Sequence, residues 1–269
     1  MKNNKTKFNK ISKNIKSIKI QGARNIAIAG FKAYKLIPTN SSKNKLLSLR
    51  STEPMLANIL KQADNLTEKE LLRKLKSNQQ IINKQILKLI KKNSVIFTHC
   101  HSSSVINSLI YVKKKGKNFE VYNTETRPLY QGRKTAKELK TAKIKITMFV
   151  DSALGVVLSK EQGTKKADIV LLGADAILKR GVINKIGSET IARIAKSEKI
   201  HTYIVSDSLK YSNKKTKIEQ RDFEEVWKTK SIRIKNPAFE FIKKKYVTRI
   251  ISELGNLSYS EFLKKIKRK

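Results

Sequence analysis

The sequence predicts an α/β protein in which an α-helical N-terminal domain, residues 1–92, precedes a Rossmann-like domain with a parallel sheet, residues 93–269. Apolar residues recur at helical spacing up to about residue 92. From Val95 onward, short β-branched or aromatic runs alternate with polar loops and helical segments, which is typical of repeated β-loop-α units. A chain of 269 residues is long enough for one large domain or two smaller ones.

Two segments carry the helical prediction for the first part. Apolar residues spaced three and four apart predict a helix over residues 22–36, at positions Ile26, Ala29, Ala33 and Ile37. Thr67 and Glu70 have the spacing of a capping box, which predicts a second helix running to about Lys92. No strand is predicted before Val95.

The predicted strands begin at intervals of 25, 26, 23 and 34 residues, near Ser94, Phe119, Lys145, Asp168 and Thr202. The first three intervals each hold one helix, as parallel strands require. The longer last interval contains Gly173 and Asp175 and then an additional short segment around Gly181. We therefore expect a small hairpin there, followed by a helix from Gly187.

The chain carries 60 Lys and Arg against 21 Asp and Glu, a formal charge of +39. Such a surplus can indicate nucleic-acid binding. Its 49 Lys against 11 Arg, with 32 Ile and 19 Asn, instead favours a bias toward A/T-rich codons, because phosphate-binding sites favour Arg. RNA binding through the basic ends stays open. One Cys excludes a disulfide framework and no apolar run is long enough to span a membrane, so we expect a cytoplasmic protein.

Polar residues cluster directly after the predicted strands. Ligands bind at the carboxyl ends of the strands in open parallel sheets. We therefore expect one crevice lined by these loops, at Thr98–Ser104, Thr124–Pro128, Asp151–Ser152, Asp175 and Asp207–Ser208.

Cys100 lies between His99 and His101 and before Ser102, Ser103 and Ser104. A single Cys is more often a small buried hydrophobe than a catalyst. A following helix N-terminus would favour a thiolate here and would also attract phosphate. A zinc site is the weaker interpretation, because adjacent strand-end residues point to opposite sides and no second ligand cluster is present.

Asp175 has small or apolar neighbours, so burial could raise its carboxyl pKa enough for it to act as a general acid. The alternative is a turn-forming Asp that bonds its own backbone. Asn184 and Lys185 precede a predicted helix and suit a phosphate or a sugar hydroxyl. Arg50 and Lys210 are weaker phosphate candidates, because a single cation carries little information in so basic a chain.

Taken together, the motifs resemble the family that contains the alpha, beta and delta subunits of initiation factor 2B, ribose-1,5-bisphosphate isomerase and methylthioribose-1-phosphate isomerase. The resemblance extends from about Ile18 to Leu257. Seven ordered segments carry it: Gln21–Ala23, Thr98–Ser102, Thr124–Pro128 with Gln131–Gly132, Val150–Ala153, Gly173–Asp175, Val182–Gly187 and Lys235–Phe239.

The resemblance implies that Cys100 and Asp175 form the acid/base pair of an aldose–ketose isomerase. It also implies ribose 1,5-bisphosphate as the candidate substrate, with ribulose 1,5-bisphosphate as the product. A neutral Asp would protonate the ring oxygen and a Cys thiolate would accept a proton at carbon. Neither NAD nor a metal is needed. The implied substrate or phosphate contacts are Gly22, Ala23, Arg24, Arg50, Ser102, Ser103, Ser104, Asn184, Lys185 and Lys210.

A non-catalytic initiation-factor subunit that senses a nucleotide or sugar phosphate is the alternative, and its partner would be initiation factor 2. Gln21 occupies the position of an Arg in the isomerase motif that this segment resembles. The chain therefore lacks a cation there, which Arg24 would have to replace. The eukaryotic alpha subunit resembles this region without the Cys and the Asp. Because both residues are retained here, catalysis is the first hypothesis. The resemblance also implies a homodimer or a higher homo-oligomer.

Overall fold

A computed structural model of the protein describes residues 2–50, 53–159, 164–214, 218, 220–229 and 231–268. The helices are α1 (Lys2–Lys16), α2 (Ala23–Leu36), α3 (Asn40–Leu49), α4 (Pro54–Lys61), α5 (Glu68–Leu89), α6 (Ser103–Lys114), α7 (Gln131–Thr141), α8 (Leu154–Ser159), α9 (Ser188–Ser197) and α10 (Tyr259–Lys267). The strands are β1 (Val95–Thr98), β2 (Glu120–Thr124), β3 (Lys145–Phe149), β4 (Ile169–Leu172), β5 (Ala176–Leu178), β6 (Gly181–Lys185), β7 (His201–Val205), β8 (Phe239–Lys243), β9 (Arg249–Ser252) and β10 (Gly255–Leu257).

The two predicted N-terminal helices are present as α2 and α5. Gly22 caps α2 with a φ of 83°, a left-handed conformation that glycine adopts without strain. At the start of α5 the backbone N–H of Glu70 donates to the Thr67 hydroxyl, and the N–H of Thr67 donates to the Glu70 carboxylate. The capping box is therefore formed, and α5 ends at Leu89, slightly before the predicted end.

The strands predicted near Ser94, Phe119, Lys145, Asp168 and Thr202 all pair in one sheet. Its seven strands run in the order β10-β9-β7-β4-β1-β2-β3. All its neighbouring pairs are parallel except β9 with β10. The α/β prediction with a parallel sheet is therefore confirmed.

A second, three-stranded antiparallel sheet follows β4 and has the order β5-β6-β8. The predicted hairpin through Gly181 is its β5–β6 pair. Strand β8 lies more than fifty residues further along the chain and pairs with β6 from Gly181↔Lys243 to Lys185↔Phe239. This small sheet places Asn184 and Lys185 beside the end of β4.

Both faces of the central strands of the large sheet are buried, whereas the edge strand β3 is largely exposed. Phe97 and Val170 pack on one face against α8, α9 and α10, whereas Ile96 and Leu171 pack on the other face against α5, α6 and α7. This alternation explains the nearly continuous apolar runs in β1 and β4, since a strand covered on both sides needs no polar face. A separate helical core is formed by α1 to α4 and the first part of α5.

Helix α5 contributes to two cores. Leu71 and Leu75 pack among the N-terminal helices, whereas Ile82 and Ile86 pack against the sheet. The predicted boundary near residue 92 coincides with the end of this helix and stays a prediction. Across the described ranges, no helix is both long enough and apolar enough to cross a membrane.

Candidate active site

A cleft of about 1000 Å³, counting the solvent space at its mouth, lies where the strands of the large sheet end. Its floor is the loop after β1, the turn after β4 and the end of β6. Its walls come from the N-terminal helices on one side and α7 on the other. Most of the predicted site residues line it: Gly22, Ala23, Arg24, Arg50, Cys100, Ser102, Ser103, Asp175, Asn184, Lys185 and Lys210.

Two hydrogen bonds hold the backbone of Cys100 in place. Its N–H donates to the Thr126 hydroxyl at 3.0 Å, and its carbonyl accepts from the Thr135 hydroxyl at 2.7 Å. Its φ is 64°, a left-handed value that costs a non-glycine residue about 1 kcal/mol. These hydrogen bonds stabilise the sharp turn from β1 into α6 and leave the side chain on the cleft floor.

The Cys100 thiol is protonated at neutral pH in the free protein. Burial raises its pKa, Lys185 opposes the increase, and the charges of Asp175 and Asp151 add to it, so that the pKa lies at about 11. The expectation that the helix N-terminus favours a thiolate is therefore wrong for the free protein, because loss of solvation outweighs the attraction of the positive groups.

His99, next to the thiol, is a buried neutral side chain. Its Nε2–H donates to the carbonyl of Ile186 at 2.8 Å, and its Nδ1 accepts from the Thr124 hydroxyl. Burial lowers its pKa to about 4. Because both ring nitrogens are engaged, His99 has no lone pair left for a metal, and the described residues contain no group of three or more His, Cys, Asp or Glu arranged to bind one.

Asp175 reaches the cleft through a tight turn after β4. Because β1 and β4 are hydrogen-bonded neighbours, with Thr98 opposite Leu171, the turns that carry Cys100 and Asp175 are adjacent. A Cβ on Gly173 would lie 2.6 Å from the Ser102 hydroxyl oxygen, so only glycine fits there. Asp175 is half-buried rather than enclosed.

Asn184 and Lys185 enter the cleft from the end of β6. The Asn184 carboxamide donates to the Ser188 hydroxyl at 2.9 Å, and this hydroxyl donates to the Lys185 carbonyl at 2.6 Å. Lys185 is buried, and its Nζ lies 5.0 Å from the centre of the Phe239 ring. An ammonium group in such a position can bind an anion at the floor of the site.

Three further cations line the cleft, two from the N-terminal helices and one from a turn after β7. Arg24 is in the first turn of α2, Arg50 ends α3, and Lys210 follows β7. Burial lowers the pKa of Arg24, an effect that the charge of Asp207 opposes. The Lys210 ammonium donates to the Ala174 carbonyl, beside Asp175. Cations from three separate segments thus converge on one cleft.

Several predicted positions lie outside the cleft. Ser104 lines a small neighbouring cavity with Arg24 and Lys210, and its carbonyl accepts from Gln79. The expected lining by Thr124–Pro128, Asp151–Ser152 and Asp207–Ser208 is wrong: none of these residues lines the cleft, and Asp207 lines the small neighbouring cavity instead. Asp151 accepts the backbone N–H groups of Thr126 and Arg127 at 2.8 and 2.6 Å and thereby fixes the loop that holds Cys100.

Other lining residues had no assigned role in the sequence analysis. Gln131 and Lys134 enter from α7, Arg221 from an irregular segment, and Phe239 from β8. Gln131 and Phe239 fall in motifs that carried the resemblance, so those motifs could have indicated them. Lys134 and Arg221 gave no signal in a chain this basic.

Fold and site together define the class: an α/β protein whose helical N-terminal half and strand-end loops enclose one cation-lined cleft around a thiol and a carboxyl group. The sequence profile of the Initiation factor 2 subunit family matches residues 6–259. The chain belongs to this family, as the motifs predicted.

Relatives of two kinds are similar to this chain. A protein named ribose 1,5-bisphosphate isomerase from Methanocaldococcus jannaschii is 34% identical over 90% of this chain and 88% of its own length. One of the same name from Thermococcus kodakarensis is 39% identical over 60% of this chain, and the matched part spans 52%, about half, of that relative. The Pyrococcus horikoshii translation initiation factor eIF-2B structure superposes with a TM-score of 0.82 at 25% identity, covering 93% of this chain and 96% of that chain.

Proposed function

We propose that this protein is an aldose–ketose isomerase acting on a sugar phosphorylated at its anomeric oxygen, with ribose 1,5-bisphosphate as the first candidate. The observation that carries the proposal is the placement of Cys100 and Asp175 on adjacent turns of one cation-lined cleft. The relatives named as ribose 1,5-bisphosphate isomerases support this choice of substrate.

The reaction needs one proton donor and one proton acceptor. The bond between C1 and the ring oxygen breaks, and the ring oxygen gains a proton. A hydrogen moves from C2 to C1, and the C2 hydroxyl loses its proton as the ketone forms. C2 is oxidised and C1 is reduced within the same molecule, so no external oxidant or reductant is consumed.

We assign the donor role to Cys100 and the acceptor role to Asp175, the reverse of the roles predicted from the sequence. The reason is the raised pKa of Cys100, which keeps the thiol protonated in the free protein. Lys185, Arg50 and Lys210 would bind the anomeric phosphate together with the first N–H groups of α6. These groups hold the sugar so that the thiol and the carboxylate face the ring oxygen and the C2 hydroxyl.

Incubation with ribose 1,5-bisphosphate and assay for the ketose tests the proposal. Asp175→Asn should lower kcat by about 10²- to 10⁴-fold, because the acceptor is lost. Cys100→Ser should lower it too but keep part of the rate, since a hydroxyl can still donate. The control Glu224→Gln alters an exposed carboxylate that does not line the cleft and should leave kcat unchanged. No ketose from the wild-type protein, or a Cys100→Ser variant as active as wild type, would contradict the proposal.

A second candidate is a non-catalytic initiation-factor subunit that binds a nucleotide or sugar phosphate in the same cleft. A protein named putative translation initiation factor eIF-2B subunit 2-like from Pyrococcus furiosus favours it, because it is 27% identical over 91% of this chain and 94% of its own length. This candidate predicts co-purification with initiation factor 2 and binding without turnover. For either candidate we propose a cytoplasmic homodimer or larger homo-oligomer, which light scattering would measure. RNA binding through the basic ends would require a preference for a defined RNA that persists at high salt.

A further inference from the structure

The strand order of the large sheet places four residues that line the cleft in a row. Lys210 follows β7, Asp175 follows β4, Cys100 follows β1, and Lys134 lies in α7, which follows β2. These strands are consecutive neighbours in the sheet. Adjacent strands are about 4.8 Å apart, so the row extends about 14 Å from the first strand to the last. The reacting pair is in the middle, and a lysine is at each end.

The α7 end of the row has a polar atom that lacks a protein partner. The carboxamide oxygen of Gln131 is buried and accepts no hydrogen bond from any described residue. A buried acceptor of this kind costs free energy unless a ligand or water donates to it. Gln131 and Lys134 are three residues apart on α7, which places them on the same side of the helix, and both line the cleft.

Lys134 is the cation at this end. Its ammonium nitrogen is 3.9 Å from Oε1 of Glu138, a long and exposed ion pair that contributes little. His101 donates to the same carboxylate oxygen from Nε2 at 3.1 Å. Burial and the nearby charge of Lys134 lower the pKa of His101, so the ring is neutral when Lys134 is charged. Lys134 can therefore turn from Glu138 to a stronger anion at small cost.

We propose that Lys134 is a specificity-determining residue that binds a second phosphate, the one on C5 of the sugar, while Gln131 accepts a sugar hydroxyl between that phosphate and the reacting carbons. The inference rests on the proposed function, because it takes the anomeric phosphate to lie at the Lys185, Arg50 and Lys210 end. Aldose 1-phosphates that differ only at C5 would then be distinguished at the α7 wall. The cleft would prefer a bisphosphate to a 5-deoxy monophosphate.

The test compares ribose 1,5-bisphosphate with 5-deoxyribose 1-phosphate. Binding is measured by calorimetry in a Cys100→Ala background, so that turnover does not interfere, and kcat/KM is measured with Cys100 present. Lys134→Met should weaken bisphosphate binding about 10- to 100-fold, the usual range for one charge-assisted contact, and leave monophosphate binding unchanged. Lys134→Arg should retain the preference. Lys137→Met, which removes an exposed lysine one turn along α7, is the matched control.

Equal weakening of both sugars by Lys134→Met would overturn the inference, because the lysine would then act through general charge. No effect on either sugar would overturn it as well. The proposed function fails separately: if neither sugar is converted by the protein with Cys100 present, the isomerase proposal falls, and the two binding constants still decide whether Lys134 recognises the second phosphate.

Discussion

The floor and the helical wall of the cleft differ in how their side chains are held. On the floor, Cys100 and His99 are fixed by hydrogen bonds to neighbouring strands and loops, and His99 is buried whereas Cys100 is half-buried. Beyond the floor, Arg24 and Arg50 are at the ends of α2 and α3 in the helical core, and Lys210 is on a short turn after β7. The thiol and Lys185 therefore lie on the sheet side of the cleft, whereas the positions of the two arginines depend on how the helical core packs against the sheet.

The largest expected effect tests the rigid floor through His99. The unfolded chain binds a proton on this ring near its ordinary pKa of 6.5, whereas the folded protein binds it only near 4. Between these values the unfolded state holds more protons, so stability decreases as the pH falls from about 6.5 to about 4. The full shift corresponds to about 3 kcal/mol in the free energy of unfolding. Urea unfolding at a series of pH values measures it.

Two variants isolate the contribution of His99. His99→Gln should flatten the pH dependence in this range, whereas His201→Gln, at an exposed position, should retain it. Imidazole NMR signals of the folded wild-type protein give an independent reading. A His99 signal that titrates near pH 6.5 would show that the ring is not held neutral by the floor.

The next largest effect is on the alkylation rate of the Cys100 thiol, which depends on the charges of Lys185 and Asp175 beside it. Alkylation by iodoacetamide should accelerate with pH up to about 11, the pKa of the thiol. Lys185→Met removes a positive charge and should slow alkylation at a given pH, whereas Asp175→Asn should accelerate it, each by up to about tenfold. The exposed Lys179→Met variant is the control and should react like wild type. A rate that levels off near pH 8 would contradict the protonated resting state.

The smallest effect tests the attachment of the wall. The Asn58 carboxamide on α4 donates to the carbonyls of Leu209 and Tyr211 at 2.8 and 2.9 Å, beside Lys210. Asn58→Ala should lower the free energy of unfolding by about 1 kcal/mol and raise KM with little change in kcat. Asn65→Ala, at an exposed site, should change neither value. If Asn58→Ala lowers kcat as strongly as a floor variant, the distinction between floor and wall does not hold.

The sequence predicted the floor and the N-terminal wall better than the wall formed by α7. Cys100 and Asp175 follow strands, and the end of a parallel strand is a position that periodicity locates. Lys134 could not be distinguished from the many other lysines, because its role depends on which side of α7 faces the cleft. Strands β8, β9 and β10 were not predicted, since their pairing depends on contacts distant in sequence. The protonated thiol was also missed, because motif spacing does not show how deeply a side chain is buried.

The shared helix α5 limits how separable the two halves of this protein are. Its first half completes the helical core and its second half covers one face of the sheet. A cut after residue 92 would leave the apolar side of β1 and α6 open to water, so the C-terminal piece would be prone to aggregate. A chimaera between members of the family would therefore have to take α5 from the same parent as the sheet that it covers. The N-terminal helices that pack on α5 would then meet a foreign partner unless they came from that parent too.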